Sequence, residues 1–243
     1  MGKLLHRILY RALPLEWYLR VVSRMLFVYR ALGLGRHSRA MEYNYHLPRL
    51  VKRGDTVVDI GANLGYYTCP LSDIVGSEGR VYAVEPVPVI FNVLKRNVGG
   101  RNNVTLLNYA LGEEERTIEM ANDSVAAGGY FGTGRNFVSD GDLSAEAIRF
   151  TAQMRRGSKL FAEVGKIDFI KCDIEGYERV MMPELRPLLE RDHPTVLIET
   201  DGQTRHAMVG MFAEMGYRAT MLRGGVEIPL DIDSDKDIIF RYK

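Results

Sequence analysis

The sequence is poor in cysteine and contains no long hydrophobic run. Cys69 and Cys172 are the only two cysteines among 243 residues, which argues against a disulfide framework and favours a reducing compartment. Neither cysteine has Cys or His neighbours at the spacing of zinc ligands. No uninterrupted apolar run approaches the roughly 18–20 residues that span a bilayer. Charged residues and Pro14 interrupt the basic N-terminus where a signal peptide has its apolar core, so we expect a cytoplasmic protein.

The composition is that of a globular domain with an uneven distribution of charge. Apolar residues make up 46% and charged residues 26%, which excludes a disordered chain and suits one large domain. The net charge is +1, but residues 1–53 contain eleven Lys and Arg and two acidic residues, so they contribute +9 and the rest contributes −8. A basic segment on an acidic body suggests an anionic partner for that segment.

Residues 1–50 are predicted to form a basic, amphipathic helical extension. Pro14 separates two segments, 3–12 and 15–32, and the apolar residues of the second recur at helical spacing with Arg20 and Arg24 opposite them. A third helix is expected over 38–51. Basic and aromatic residues on such a helix are typical of an interfacial membrane anchor. Residues 1–36 are therefore predicted either to contact an anionic membrane peripherally or to pack on the following domain as a cap.

Residues 51–243 are predicted to form an α/β domain. Five runs rich in β-branched residues, at 56–60, 81–85, 104–107, 167–172 and 195–199, alternate with helical segments at 64–75, 87–98, 177–190 and 203–215. Near-continuous apolar strands that alternate with helices are typical of a parallel sheet covered on both faces. Two further strand-like runs, at 217–222 and 237–242, have no helix between them and indicate an antiparallel hairpin that closes the sheet.

The region 122–165 has a different composition. It contains seven glycines together with Tyr130, Phe131 and Arg135, and one helix is expected near 144–155. A long loop inside an α/β domain is usually either functional or disordered. We predict that this region is a lid or acceptor-binding loop, and a disordered insertion is the alternative.

A glycine-rich turn follows the first predicted strand. A dinucleotide fingerprint needs glycines at positions 61, 63 and 66, but positions 63 and 66 are Asn63 and Tyr66. The turn therefore disfavours NAD, and no GxxxxGK[ST] motif is present. Gly61 allows close approach of a ligand to the backbone, Asp59 attracts a cationic group, and Glu85 at the end of the next strand can accept from both ribose hydroxyls. This combination predicts S-adenosylmethionine, a nucleoside that carries a cationic sulfonium and no phosphate.

At this point the sequence resembles the FkbM family of class I methyltransferases. The segments that carry the resemblance are VDIGANLGYYT at 58–68, VEP at 84–86, ALG at 110–112 and DFIKCDIEGYE at 168–178. The resemblance covers roughly residues 50–243, and the last segment is its most specific part. It implies a Rossmann-like, seven-stranded, mostly parallel sheet of order 3-2-1-4-5-7-6 with an antiparallel last strand. It also implies O-methylation, often of sugars, polyketides or other secondary metabolites.

Several cofactor contacts are carried over from the family, position by position. The residues expected to line the methionine moiety are Asp59, Gly61, Asn63, Tyr66, Tyr67 and Thr68. Glu85 is expected to bind the ribose, and Asn108 and Ala110 to flank the adenine. Two alternatives remain open: Asn108 is a turn former at the strand end, and one of the two tyrosines belongs to the helix core.

The carboxyl ends of the strands, near the point where the strand order reverses, are where ligands bind in open α/β sheets. Asp173 ends the fourth strand of the domain there, so we predict that it is the general base that accepts the acceptor's hydroxyl proton. It is also predicted to contact the methionine end of the cofactor. Glu175 is the second candidate base, and Lys171 is predicted to neutralise these acids or steer an acceptor. The alternative role for Asp173 or Glu175 is to cap the helix that starts near residue 177.

A metal site and a histidine base are two other possibilities near this position. Asp173, Glu175 and Glu199 are an oxygen set that suits Mg²⁺ or Ca²⁺, but no metal is predicted because Lys171 can neutralise the same acids. His193 precedes its strand at the amino end and is expected to be structural, while His206 is a weak candidate base.

The function predicted is O-methylation of a hydroxyl on a sugar, glycan, lipid-linked or secondary-metabolite acceptor. An NAD-type oxidoreductase and a non-catalytic membrane-surface module are the alternatives that remain. The acidic body argues against a nucleic acid as the substrate.

Overall fold

The computed structural model describes residues 2–36, 38, 41–139, 147–200 and 202–243. The strands in these ranges are β1 (Thr56–Ile60), β2 (Arg80–Val84), β3 (Val104–Leu107), β4 (Ala110–Leu111), β5 (Arg116–Asn122), β6 (Asn136–Val138), β7 (Ile148–Arg155), β8 (Phe169–Cys172), β9 (Thr195–Ile198), β10 (Tyr217–Arg223), β11 (Val226–Pro229) and β12 (Ile238–Tyr242). The helices are α1 (Lys3–Ala12), α2 (Leu15–Ala31), α3 (Glu42–His46), α4 (Thr68–Val75), α5 (Pro88–Val98), α6 (Ser124–Gly128), α7 (Gly157–Leu160), α8 (Glu178–Glu184), α9 (Arg186–Asp192) and α10 (Gly202–Glu214).

The main sheet has the order β3-β2-β1-β8-β9-β12-β10-β11. Strands β1, β2, β3, β8 and β9 are parallel, and β12 runs antiparallel to both β9 and β10. This confirms the predicted Rossmann-like α/β class and the antiparallel last strand. The order reverses between β1 and β8, so their carboxyl ends open side by side where a ligand can enter.

The strand count differs from the prediction of seven, because the described residues form eight strands in this sheet. The extra strand is β11, which lies between the two predicted strand-like runs, where no further strand was expected. Gly224 and Gly225 both have positive φ, 59° and 78°, and they form a two-residue connection between paired Arg223 and Val226. Such a connection favours a tight hairpin, so β10 continues directly into β11.

The core lies on both faces of the main sheet. On one face, side chains of α8, α9 and α10 such as Met181, Leu189 and Phe212 are buried against the strands. On the other, Leu71 and Val75 of α4 pack with Tyr43 and Leu47 of the N-terminal extension. The helix predicted over 177–190 is divided into α8 and α9, and Pro187 stands in the first turn of the second helix, where its missing N–H costs nothing.

The region 122–165 contributes to a second sheet, and the helix predicted near 144–155 is wrong. The order of this sheet is β4-β7-β5-β6, and β7 pairs antiparallel with β5 along seven residues. Ile148, Phe150, Ala152 and Met154 alternate along β7 and face the same cluster of apolar side chains, which is the period of a strand. Residues 144–146 of the predicted helix lie outside the described residues.

The N-terminal extension packs on the domain as a cap. Tyr18 and Leu19 of α2 are buried against Val87, Ile90 and Val93 around the start of α5. The third helix is shorter than predicted, because α3 is followed by a 3₁₀ turn at Leu47–Arg49 that contains Pro48. Among the described residues, no helix is long and apolar enough to cross a membrane.

The packing of α2 predicts that a substitution on its buried face lowers the free energy of unfolding more than one on its exposed face. Leu19→Ala removes a side chain with no exposed surface, so we expect the free energy of unfolding to fall by about 2–5 kcal/mol. The matched change Val28→Ala, at a position 57% exposed, should alter it by less than about 0.5 kcal/mol. Urea unfolding followed by circular dichroism measures both. Equal effects of the two changes would mean that α2 is not packed on the domain.

Candidate functional site

The turn after β1 packs directly on the end of β8. Gly61 has φ +75°, and a Cβ at this position would lie 1.9 Å from the carbonyl oxygen of Asp173. The N–H groups of Gly61 and Ala62 both donate to the carbonyl oxygen of Val84, at 3.0 and 2.9 Å. The close approach of the Asp173 backbone therefore requires glycine at position 61. From the sequence, the expected reason for this glycine was the approach of a ligand.

Glu85 directly follows β2, and its carboxylate joins two loops. It is 5% exposed, and its carboxylate accepts from the backbone N–H of Asn63 and of Val87, each at 2.9 Å. Burial raises the pKa of Glu85 to about 7. Asn108 donates through Nδ2 to the carbonyl oxygens of Glu85 and Pro86, so it fixes the loop after β2, as expected of a turn former.

Asp59 and Thr68 lie beneath the glycine-rich turn. Both have no exposed surface, and Thr68 Oγ1 donates to Asp59 Oδ2 at 2.6 Å. The second carboxylate oxygen, Asp59 Oδ1, is buried and has no hydrogen-bond partner among the described residues. Burial raises the pKa of Asp59. These two side chains support the turn, and one acceptor atom is left unsatisfied beneath it.

The tyrosines of the turn face the N-terminal extension and β8. The ring of Tyr66 packs edge-on against Phe27 of α2, with 5.9 Å between centroids, and Lys171 Nζ lies 4.8 Å from the centroid of the Tyr67 ring. A cleft of about 100 Å³ opens between these elements. Its lining residues are Leu26, Met41, Asn44, Gly61, Ala62, Asn63, Tyr66, Tyr67, Lys171 and Asp173. The extension therefore forms one wall of the site.

Two further clefts meet at Gly61 on the side of the second sheet. One contains Asn63, Glu85, Thr133, Asn136 and Glu175. The other is an apolar slot lined by Ile60, Gly61, Val84, Pro86, Tyr109, Ala110, Leu111, Met120, Val138, Ile174 and Tyr177. Of these residues, Gly61 and Ala110 were predicted from the sequence. Met120 and Val138 were missed because the alternating pattern of the second sheet was not recognised, and Ile174 and Tyr177, in the turn between β8 and α8, were missed as well.

Lys171 and Asp173 form an ion pair at the end of β8. The distance from Lys171 Nζ to Asp173 Oδ2 is 2.8 Å, and the Lys171 side chain is 5% exposed while that of Asp173 is 28% exposed. The carboxylate of Asp173 is therefore partly exposed, and one of its oxygens is bound to the buried ammonium group of Lys171. The sequence analysis predicted this pairing of Lys171 with the neighbouring acids.

Asp173 opens into a cavity of about 420 Å³. The residues that line it are Asp173, Glu175, Gly176, Glu178, Glu199, Thr200 and Asp235. Although the side chains of Glu175 and Glu199 reach solvent, the surrounding protein and the carboxylate of Asp173 raise their pKa values to about 7 and about 8. The predicted catalytic acids are thus brought together in one cavity.

Two other roles were considered for these acids, namely capping of α8 and binding of a metal ion. The buried Glu178 accepts from the backbone N–H of Ile174 at 2.9 Å, and the N-cap residue of α8 is Tyr177, whose side chain makes no capping hydrogen bond. In the described part of the chain, no group of three or more His, Cys, Asp or Glu is arranged to hold a metal ion. Asp201, a further acid two residues after Glu199 in the sequence, lies outside the described residues.

Neither histidine considered as a base contacts Asp173 in the structure. His193 precedes β9 and stacks on the ring of Tyr242 at 3.7 Å between centroids, as expected for a structural residue. His206 is exposed on α10, and its Nδ1 lies 3.2 Å from the carbonyl oxygen of Gly202.

The segment 122–139 lies across the glycine-rich turn and is tied to α1 and α2. Asn63 Nδ2 donates to the carbonyl oxygen of Thr133 at 3.3 Å. Tyr130 stacks on His6, and Tyr18 donates to the carbonyl oxygen of the buried Phe131 at 3.0 Å. Both aromatic residues predicted to hold an acceptor are therefore packed on the extension, and Arg135 forms a bidentate ion pair with Asp123.

Comparison with known proteins agrees with this geometry. A methyltransferase FkbM domain matches residues 59–219, more than half of the chain. A solved structure of methyltransferase FkbM from Methylobacillus flagellatus superposes with a TM-score of 0.51 at 16% identity, covering 79% of this chain and 44% of that one. This likeness shows the fold.

Two curated relatives match over shorter segments. A probable cobalt-precorrin-6B C(15)-methyltransferase (decarboxylating) of Saccharolobus solfataricus is 34% identical over 82 residues, covering 32% of this chain and 41% of the relative. A protein-L-isoaspartate O-methyltransferase of Ignicoccus hospitalis is 36% identical over 59 residues, covering 24% of this chain and 28% of the relative. The chain thus spans less than half the length of either relative.

The domain match over residues 59–219 agrees with two features of the structure. The strand order of the main sheet reverses between β1 and β8, and the glycine-rich turn packs on Asp173. The predicted cofactor, S-adenosylmethionine, is confirmed by these relationships. The chain belongs to the FkbM family of methyltransferases.

Proposed function

We propose that this chain transfers a methyl group from S-adenosylmethionine to a hydroxyl oxygen of a sugar, glycan, lipid-linked or secondary-metabolite acceptor. The observation that carries the proposal is the position of Asp173. It stands between the clefts around Gly61 and the 420 Å³ cavity, with one oxygen held by Lys171. A carboxylate at this boundary is suited to accept a proton from an acceptor hydroxyl.

The residues around Gly61 fit the methyl donor. Each oxygen of Glu85 accepts one backbone N–H and keeps a second lone pair with which to accept from a ribose hydroxyl. The apolar slot beside Ala110 suits an adenine ring, and Asn108 shapes its edge. The cleft beside Asn63, Tyr66 and Tyr67 suits the methionine end, and the unsatisfied Asp59 Oδ1 beneath the turn adds negative potential.

The chain's own residues then have separate tasks in the transfer. When bound, S-adenosylmethionine supplies an electrophilic methyl group on a positively charged sulfur. Lys171 donates to Asp173 Oδ2, which fixes the carboxylate and leaves Oδ1 to accept the proton that the acceptor hydroxyl loses. The walls formed by α2 and the second sheet orient the reactants, and orientation supplies a large part of the barrier reduction. Glu175, with its pKa near 7, is the second candidate base.

The alternatives have less support. Family membership and the positions of Asn63 and Tyr66 in the turn disfavour an NAD-type oxidoreductase. A nucleic acid substrate is disfavoured because the cavity beside Asp173 is lined by carboxylates, which repel phosphate groups.

A peripheral membrane contact is a second proposal, and the exposed face of the extension supports it. Five apolar side chains of this segment are at least 55% exposed: Leu4, Ile8, Trp17, Val28 and Leu32. Trp17, Arg24 and Val28 recur at intervals of seven and four residues and so lie on one face of α2. We propose that this face binds an anionic bilayer, because apolar side chains enter the interface while Arg24 and its basic neighbours attract the headgroups. Buried Tyr18 and Leu19 hold the opposite face on the domain, so cap and membrane contact are compatible.

The donor site predicts a loss of affinity in Glu85→Gln. This change removes the charge but keeps one acceptor oxygen, and we expect binding of S-adenosylhomocysteine to weaken by about 1.5–3 kcal/mol, the contribution of a hydrogen bond to a charged group. Isothermal titration calorimetry measures it, with the exposed Glu78→Gln as the matched control. Unchanged affinity in Glu85→Gln would mean that the ribose binds elsewhere.

The role of Asp173 predicts a loss of turnover with little loss of binding. In Asp173→Asn the side chain keeps its shape but no longer accepts a proton, so kcat should fall roughly 10²–10⁴-fold. Transfer of a radiolabelled methyl group to fractionated glycan, lipid and metabolite extracts first identifies the acceptor and then measures kcat. Asp73→Asn, on the exposed side of α4, is the control. If donor affinity collapses while turnover per bound donor survives, Asp173 is a binding residue.

The membrane contact predicts binding that depends on the exposed face. The protein should float with phosphatidylglycerol vesicles at low salt, and less with phosphatidylcholine vesicles. The double change Leu4→Gln and Val28→Gln should reduce flotation several-fold, whereas Val226→Gln, at an equally exposed position on β11, should not. Failure of the unchanged protein to float at low salt would contradict the proposal.

A further inference from the structure

The charged side chains that line the cavity beside Asp173 are all acidic. Four of its lining side chains, Asp173, Glu175, Glu178 and Glu199, are carboxylates from the ends of β8 and β9 and the start of α8. Asp235, from the loop before β12, adds a fifth. No Lys, Arg or His lines the cavity within the described ranges. An acceptor that carries phosphate or carboxylate groups would be repelled from such a surface.

Two buried atoms in this cavity wall have no hydrogen-bond partner. Glu178 is 1% exposed and Thr200 is 9% exposed, and in the described structure neither Glu178 Oε2 nor Thr200 Oγ1 is paired. Buried polar atoms in folded proteins are nearly always paired, so two such atoms in one wall indicate that something else supplies their partner. The free carboxylate oxygen can only accept a hydrogen bond when it is ionised, so the missing partner is a donor.

The negative charge of the cavity is only partly neutralised by the protein. Lys171 is bound to Asp173, and Arg135, whose charge lowers the pKa of Glu175, is already bonded to Asp123 through two nitrogens. Burial and mutual repulsion keep the pKa values of Glu175 and Glu199 high. A cationic donor bound between these carboxylates would relieve both the repulsion and the unsatisfied oxygen.

We propose that this cavity binds the methyl acceptor, and that the acceptor carries a protonated amine close to the hydroxyl that is methylated, as in an amino sugar. The inference rests on the proposed methyl transfer and narrows its substrate class. The amine lies between Glu178 and Glu199, and Thr200 Oγ1 bonds a neighbouring ring hydroxyl. The hydroxyl to be methylated then faces Asp173 and the clefts around Gly61.

A matched pair of sugars tests the class directly. The first is the trimer of β1,4-linked glucosamine, which carries three basic amines, and the second is the same trimer with every amine acetylated. Isothermal titration in the presence of S-adenosylhomocysteine should give binding of the amine form at least about tenfold tighter than that of the acetylated form. Equal affinities, a preference for the acetylated form, or no binding of either sugar would overturn the inference.

Substitutions in the cavity wall test whether the amine sugar binds in this cavity. Glu178→Gln keeps the oxygen that accepts from Ile174 and replaces the unpaired one, so it should weaken binding of the amine form about tenfold, and Thr200→Val should weaken it less. Glu163→Gln, which removes one exposed carboxylate before the amino end of β8, should change nothing. Equal weakening by Glu163→Gln would mean that net charge alone attracts the sugar and would overturn the inference.

Binding of S-adenosylhomocysteine separates the two proposals. A protein that binds this product but not the amine sugar contradicts the acceptor class alone. A protein that does not bind it contradicts the proposed function, and with it this inference.

Discussion

The contact between Gly61 and the backbone of Asp173 is the constraint on which the rest of the site depends. The Asp173 carbonyl occupies the space in which any larger residue at position 61 would put its Cβ. This close approach joins the ends of β1 and β8, where the strand order reverses. It also fixes the backbone of Asp173, whose carboxylate is then oriented by the buried Lys171. The donor clefts and the acidic cavity meet at this backbone contact, so the ends of β1 and β8 position both of them.

The walls of the site come from parts of the chain that lie outside the main sheet. Leu26 of α2 borders the cleft beside Tyr66, and Met120 and Val138 of the second sheet border the slot beside Ala110. The two walls are joined, since Tyr18 of α2 donates to the backbone of Phe131. The packing of the N-terminal extension therefore also supports the segment over the glycine-rich turn.

Most of the main sheet was predictable from the sequence because parallel strands buried on both faces leave a strong local pattern. The same is true of the acids at the strand ends, since strand direction alone brings Asp173 and Glu199 to one edge. The second sheet was not predicted, because the glycines elsewhere in the region 122–165 and the polar residues of its own strands hid the alternation of Phe150, Ala152 and Met154. The roles of Glu178 and Thr200 were not visible either, since an unsatisfied buried atom is a property of packing and not of sequence.

A crystal structure with bound S-adenosylhomocysteine would show whether the donor site opens onto Asp173. We expect ribose hydroxyls on the Glu85 carboxylate, adenine in the slot beside Ala110, and the sulfur facing Asp173 at the boundary of the acidic cavity. A ligand whose sulfur faces away from Asp173, or whose ribose does not contact Glu85, would contradict this expectation.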